Sequence, residues 1–318
     1  PEVREAACTF VEKKYNVHYD WQTEVLVTVG GTEAITATLL SILEPGDKVL
    51  LPTPIYSGYE PVITLAKAEL IQMDTSQTDF VLTPDLLEAT LEEHGDQVKA
   101  VILNYPSNPI GVTYTREEVK SLADVLKKYP VFVMCDEIYS ELVYDETHTS
   151  IAEFIPNQTI LINGLSKSHA MTGWRIGFLF GPKELIKEIV KVHQYLVTAA
   201  STISQKAAYA ALTTSMNAGE EMKKEYQVRR DFVFKEVSRL GFEVAKPRGA
   251  FYIFAKIPTA YIQDSMEFCI DLAEKEQLAV IPGIAFGQAG EGYIRISYAA
   301  SFEKLEEAMR RLDRYMNR

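Results

Sequence analysis

The feature that most restricts the fold of this chain is the rhythm of its first two thirds, where short apolar runs alternate with helical stretches. The runs are "EVLVTVG" (24–30), "DKVLLP" (47–52), "AELIQMD" (68–74), "KAVILNYP" (99–106), "VFVMCDE" (131–137), "TILINGL" (159–165) and "WRIGFLFG" (174–181). Runs of this length, rich in β-branched residues and bounded by turn residues, predict strands. Helical segments intervene, such as "TREEVKSLADVLKKY" (115–129), where Thr115 and Glu118 have the spacing of a capping box. Strands separated by helices imply an α/β fold with a mostly parallel seven-stranded sheet covered on both faces. Two long helical stretches follow, at 182–196 and 220–240. Then the pattern changes: "GAFYIFAKI", a helix near 264–276, "LAVIPG", "YIRISYA" and a terminal amphipathic segment predict a smaller C-terminal α+β domain. The expected division is a large domain over 1–213 and a small one over 214–318. At the other end, "PEVREAACTFVEKKYNV" presents Val3, Ala6, Ala7, Phe10 and Val11 on one helical face with no capping residue ahead. That pattern leads us to expect further chain upstream, an N-terminal segment missing from the large domain.

Composition narrows the function classes. A chain of 318 residues that is 47% hydrophobic and 24% charged can bury a large core or two. Its net charge of −12 argues against nucleic acid as a partner, because a phosphate backbone would be repelled. Cys8, Cys135 and Cys269 are odd in number and share no metal-ligand spacing, so they read as buried thiols in a reducing compartment. No apolar run approaches the ~18 residues of a membrane span. The expectation is a cytoplasmic protein without a membrane partner.

In open α/β sheets, ligands sit beyond the carboxyl ends of the strands, so the residues just after each strand are the candidates for a site. "GGTEA" (30–34) follows the first strand and opens a helix, where backbone N–H groups and Thr32 suit a phosphate or simply make a tight turn. It is neither the GxGxxG dinucleotide fingerprint nor a Walker A loop, which disfavours a nicotinamide dehydrogenase. "TPIYSGYEP" (53–61) brings Tyr56 and Tyr59 to the same edge, either to stack on a planar ligand or to pack a loop. Asn108, in "SNPIGVTY", is a polar candidate or turn punctuation. Asp136 and Glu137 end an apolar strand, where a carboxylate requires a partner, expected to be cationic; Tyr139 follows. In "NGLSKSHAMTGWRIGF" (163–178), Lys167 and Arg175 fall at that edge too. A desolvated lysine beside an arginine has its ammonium form disfavoured, and the neutral amine is the form that Schiff-base chemistry requires. An exposed loop lysine is the plainer alternative, and the convergence of all these residues on one crevice weighs against it.

At these residues the sequence resembles the fold-type I pyridoxal-phosphate enzymes of the class I/II aminotransferase family. "NYPSNPIG", "DEIYSEL", "SKSHAMTGWRIG" and "YIRISYA" occur in family order, and the likeness spans essentially the whole chain. It is greatest to the branch of bacterial aromatic amino acid and N-acetyl-diaminopimelate aminotransferases, and most of all to the aromatic enzymes. The resemblance implies pyridoxal 5'-phosphate as cofactor, with Lys167 as the Schiff-base lysine and proton shuttle. It implies that Gly31, Thr32, Ser166 and Arg175 hold the phosphate, Ser166 standing in for the serine that many relatives carry where this chain has Gly164. Asp136 would face the pyridine nitrogen, Asn108 and Tyr139 the phenolic oxygen, and Tyr56 the ring; Arg295 would grip the substrate carboxylate, with Asn108 beside it. The implied partners are an amino acid, a 2-oxo acid and a second copy of the chain, as a homodimer. The expected reaction moves an amino group from an aromatic L-amino acid to 2-oxoglutarate or a similar acid. Aspartate or N-acetyl-diaminopimelate transamination and a C–S β-lyase are the alternatives; a ligand-sensing regulator is a third, weakened by the acidic charge.

Overall fold

The computed structural model describes residues 1–318. The predicted strands form one seven-stranded sheet: β1 (Val25–Thr28), β2 (Lys48–Thr53), β3 (Glu69–Asp74), β4 (Val98–Asn104), β5 (Phe132–Asp136), β6 (Thr159–Gly164) and β7 (Gly177–Phe180). Their order is β1-β7-β6-β5-β4-β2-β3, and β7 alone runs antiparallel to its neighbours. Alternation along the strands explains why both faces are apolar. Ala100, Ile102 and Met134 join the cluster beneath helices Gly30–Ile42 and Lys183–Leu196. Val101, Leu103, Val133 and Cys135 point the other way, toward helices Pro84–His94 and Arg116–Leu126. The Thr115–Glu118 capping box forms as its spacing predicts. The three cysteines are buried free thiols.

The smaller sheet, of order β10-β11-β9-β8, is wholly antiparallel and comprises β8 (Glu243–Val244), β9 (Tyr252–Lys256), β10 (Ile281–Pro282) and β11 (Tyr293–Ser297). One face packs Ile253, Ala255, Ile294 and Ile296 against helices Ala218–Arg239, Ser265–Glu276 and Phe302–Met316. Alternation then turns Tyr252, Phe254 and Arg295 to the opposite face, where Arg295 is registered against Phe254.

Several predicted elements are shorter than their apolar runs. "WRIGFLFG" becomes Gly177–Phe180 because Trp174 closes a 3₁₀ turn and Arg175 adopts φ 49°, a left-handed conformation that strand pairing cannot use. "LAVIPG" contributes only Ile281–Pro282, and "GAFYIFAKI" begins pairing at Tyr252. Gly249 leaves that run because its backbone lies against Pro106 and Leu142, closer than a Cβ would permit. Helix Thr202–Thr214, which packs on helix Glu2–Tyr15, carries only Ser204, Ala208 and Leu212 on its buried side. That pattern is too weak to read in advance.

Two strips tie the small sheet to the large one. The chain ahead of β9 pairs with the segment after β5, through Ala250 N–H to Leu142 O (2.9 Å) and Tyr144 N–H to Arg248 O (2.9 Å). On the far side, Ile55 N–H donates to Phe286 O at 3.1 Å. Tyr252 and Arg295 are thereby held over the carboxyl edge of the large sheet.

Candidate active site

A cavity of about 340 Å³ opens at that edge. All ten residues that the family resemblance assigns to the site line it, together with Ile35, Tyr59, Asn104, Ile138, Thr172 and Tyr252. Strand direction is what gathers them. Residues after β4, β5 and β6 emerge at the carboxyl edge, and antiparallel β7 starts there, with Gly177 registered between Gly164 of β6 and Thr28 of β1. Arg175, two residues earlier, is therefore delivered beside the helix that follows β1.

At this end Gly30 (φ 77°) and Gly31 open helix Gly30–Ile42, with the Thr32 side chain exposed to the cavity. A Cβ on Gly30 would stand 2.5 Å from an Arg175 guanidinium nitrogen, so only glycine leaves the arginine its place. Arg175 makes one hydrogen bond, from Nη1 to Thr172 O at 3.0 Å. A guanidinium lying on a helix N-terminus sets positive charge beside the positive end of a dipole. Such a pairing is favourable when an anion sits between the two, and Ser166 lines the same corner.

The middle of the cavity holds Asp136, 6% exposed at the end of β5. Within the chain it accepts from the Tyr59 hydroxyl at 2.8 Å and from Ile138 N–H at 3.1 Å, and no lysine, arginine or histidine pairs with it. Burial pushes its pKa up to about 6, against these hydrogen bonds. The neighbouring acid is the one that finds an ionisable base: Glu137, fully buried, meets His148 Nε2 at 2.7 Å and the Ser150 hydroxyl at 2.7 Å. Asn104 donates from Nδ2 to Asp136 O at 3.0 Å, and its Oδ1 accepts from Asn108 N–H at 3.0 Å, fixing the turn that carries Asn108. Tyr56 meets the ring of Tyr59 edge-on at 5.5 Å, with its own ring on the cavity wall.

Lys167 rises from the short helix Leu165–Ser168 rather than from a loop. Its Nζ sits 5.5 Å from the Tyr139 ring and 5.4 Å from the Phe251 ring. Burial lowers its pKa; Arg175 and Arg295 add to the lowering and Asp136 opposes it. Across the cavity, Arg295 Nη1 donates to Asn108 Oδ1 at 2.8 Å while its buried Nε has no partner. The Tyr139 hydroxyl is bonded to that of Tyr252 at 2.8 Å. Burial holds both phenols above their ordinary pKa, most strongly Tyr139, so each remains a donor.

Two of these residues are not functional candidates in the sequence, and a third, Tyr59, is left open there between stacking on a ligand and packing a loop. Asn104 carried the signal that exposed Asp136, a polar residue ending an apolar strand. Tyr252, inside "GAFYIF", had no local feature distinguishing it from a core aromatic.

The fold and this site define an aminotransferase. The sequence profile of the family Aminotransferase class I and II matches residues 1–312, and the chain belongs to that family. It is 47% identical to the probable N-acetyl-LL-diaminopimelate aminotransferase of Bacillus subtilis, covering 99% of this chain and 79% of that one. It is 39% identical to the aspartate aminotransferase of Pyrococcus abyssi, covering 99% and 82%. The structure of the aromatic aminotransferase from Pyrococcus horikoshii superposes with a TM-score of 0.95 at 39% identity, covering 99% of this chain and 85% of that one. The large mostly parallel sheet is thus that of the fold-type I aminotransferases. The expected leaning toward the aromatic branch is met in part, since similar relatives carry three different substrate names.

Proposed function

We propose that this aminotransferase uses pyridoxal 5'-phosphate and takes an aromatic L-amino acid as donor and a 2-oxo acid such as 2-oxoglutarate as acceptor. The observation that carries the cofactor assignment is Asp136: a buried carboxyl, raised to about 6 and without an ion pair, across the cavity from an arginine resting on a helix N-terminus. One end of the site suits a phosphate and the middle suits a protonated ring nitrogen. When bound, the cofactor supplies an aldehyde that couples to amines and a ring that withdraws electrons from the substrate α-carbon.

The chain's own residues divide the remaining work. Gly31 and Thr32 N–H groups, Ser166 and Arg175 bind the phosphate. Asp136, ionised by its cationic partner, keeps the ring nitrogen protonated. Asn108 and Tyr139 hydrogen-bond the phenolic oxygen, and Tyr56 packs on the ring. Lys167, whose neutral form burial favours, provides the amine that holds the cofactor and then moves the proton at the substrate α-carbon. Arg295 and Asn108 orient the substrate carboxylate.

The donor assignment rests on charge. The cations lining the cavity are Lys167, Arg175 and Arg295, all already assigned, so none is left for a side-chain carboxylate. Ile35, Ile138 and Tyr56 leave apolar and aromatic wall instead. The 47% identity to a probable N-acetyl-LL-diaminopimelate enzyme favours a second reading with that donor. Comparing kcat/KM for phenylalanine, aspartate and N-acetyl-LL-diaminopimelate, with 2-oxoglutarate as acceptor, decides between them. Phenylalanine is expected to lead, and a lead for either of the others overturns the aromatic assignment.

Two variants probe the ends of the site. Arg295→Ala is expected to raise KM for every amino acid by roughly 100-fold or more, the scale of losing one partner of a desolvated charge pair. An unchanged KM would assign the carboxylate to another group. Gly30→Ala is expected to weaken cofactor binding about tenfold, because φ 77° strains alanine and its Cβ displaces Arg175. Titration of the apo form with pyridoxal phosphate measures it.

We also propose a homodimer, supported by the exposed Tyr195 and Ile203, 91% and 73% accessible, and tested by light scattering. The division into domains at 213/214 is supported by the separate apolar cluster of the small sheet. A cytoplasmic location is supported by the three free thiols. No helix is long and apolar enough to cross a membrane.

A further inference from the structure

Tyr252 has no role in the scheme above, yet it touches both halves of it. Arg295 makes no ion pair, and its sole hydrogen bond is the one to Asn108. What fixes its plane is aromatic: the guanidinium carbon lies 4.5 Å from the Tyr252 ring centroid and 4.8 Å from that of Phe286. An arginine oriented by a carboxylate is partly neutralised by it. Packed against rings, it keeps its full charge and leaves N–H groups, including the unpartnered Nε, for an incoming anion. The Tyr252 hydroxyl meanwhile meets that of Tyr139 at 2.8 Å in a buried pair. Either hydroxyl can donate in this pair; with Tyr252 as the donor, Tyr139 keeps its own proton for a third partner and becomes the stronger donor through it.

Resting on the proposed function, we infer that Tyr252 is a positioning residue with two separable parts: its ring sets the plane of the Arg295 carboxylate clamp, and its hydroxyl strengthens Tyr139 as a donor to the cofactor's phenolic oxygen. The backbone is built to hold it there. Tyr252 is registered against Ser297 at the end of β11, and its carbonyl lies against Gly111, which at φ 80° has no room for a Cβ. Phe286, the second ring against the guanidinium, is anchored to the large sheet's side through Ile55.

The test uses the cofactor-loaded protein and three variants, Tyr252→Phe, Tyr252→Leu and Phe286→Leu. The readouts are KM for phenylalanine and for aspartate, the dissociation constant of 3-phenylpropionate (a carboxylate with no amino group), and the pH midpoint of the visible cofactor band. Tyr252→Leu and Phe286→Leu are each expected to weaken 3-phenylpropionate about tenfold, the scale of a partly desolvated cation–π contact. They should raise KM for both amino acids by the same factor, because the clamp meets the carboxylate the two share. Tyr252→Phe keeps the ring, so binding should stay within about twofold. Its pH midpoint should rise by roughly half a unit, since an oxygen less well supplied with hydrogen bonds holds the neighbouring proton more tightly.

Loss confined to phenylalanine would make Tyr252 a side-chain wall and overturn the ring half. An unmoved midpoint in Tyr252→Phe overturns the hydroxyl half. If Tyr252→Leu fails to fold, Phe286→Leu alone decides the ring half. A wild-type chain with no visible band on adding pyridoxal phosphate overturns the proposed function and this inference together, whereas a normal wild-type band with mismatched variants overturns the inference alone.

Discussion

Replacing Lys167 with alanine is expected to abolish transamination, by roughly 10⁴-fold or more, while leaving the fold intact. The size of the loss follows from removing both an amine nucleophile and a general base from one site. The intact fold follows from the residue's surroundings. Lys167 is desolvated and stands near two other cations, Arg175 and Arg295, which is why its pKa is lowered. A base with a lowered folded pKa is a stability cost at neutral pH, where the unfolded chain carries the charge at no penalty. Alanine removes that cost, so the melting temperature of the apo protein should hold or rise. The measurements are the rate with phenylalanine and 2-oxoglutarate, the visible cofactor band, and a thermal melt. A retained band would take the amine role away from Lys167, and a collapsed melt would give it a structural one.

Asp136→Asn should act in opposite directions on stability and catalysis. In the apo protein the carboxyl pKa is raised to about 6 by burial, so the folded state binds a proton more tightly than the unfolded chain does. Stability from this group is then full below the ordinary aspartate range and is lost as pH rises through about 6. At pH above that window the ionised carboxylate costs up to roughly 3 kcal/mol. Asparagine carries no charge, keeps an oxygen for Ile138 N–H, and can donate to Tyr59 where the acid accepted. The apo variant is therefore expected to melt several degrees higher than the parent above pH 7, the gap closing toward pH 4. With cofactor present the sign reverses: without a carboxylate the ring nitrogen loses its proton, and α-proton removal should slow by at least about 100-fold. Melts of apo protein across pH, paired with single-turnover kinetics, test both statements. Near-normal turnover would show that Asp136 does not face the ring nitrogen.

The large sheet was legible because its strands are buried on both faces and read as continuous apolar runs. The polar residues that end those runs then marked the cavity edge, as with Asp136 and Asn108. Less legible was anything decided by contact between distant segments. Asp136 needed a partner, but no local pattern says that Tyr59, 77 residues away in sequence, supplies it. Glu137 finds His148 across a loop, and Tyr252 reaches Tyr139 only because the strip ahead of β9 pairs with the segment after β5. Arg175 was read as part of a strand because its neighbours are apolar. Its backbone is left-handed, and its guanidinium rests on the helix N-terminus at Gly30. Helix Thr202–Thr214 was missed for a simpler reason, its small buried residues giving little periodic signal.

The central claim is that this cavity binds pyridoxal phosphate through Lys167 and exchanges amino groups by turns. It is tested most directly by an absorption spectrum of the purified chain with added cofactor, followed by phenylalanine and then 2-oxoglutarate. The account predicts a visible band that free cofactor lacks, bleached by the amino acid and restored by the oxo acid. A cofactor spectrum unchanged by the protein, or a band that phenylalanine, aspartate and N-acetyl-LL-diaminopimelate all leave untouched, would contradict it.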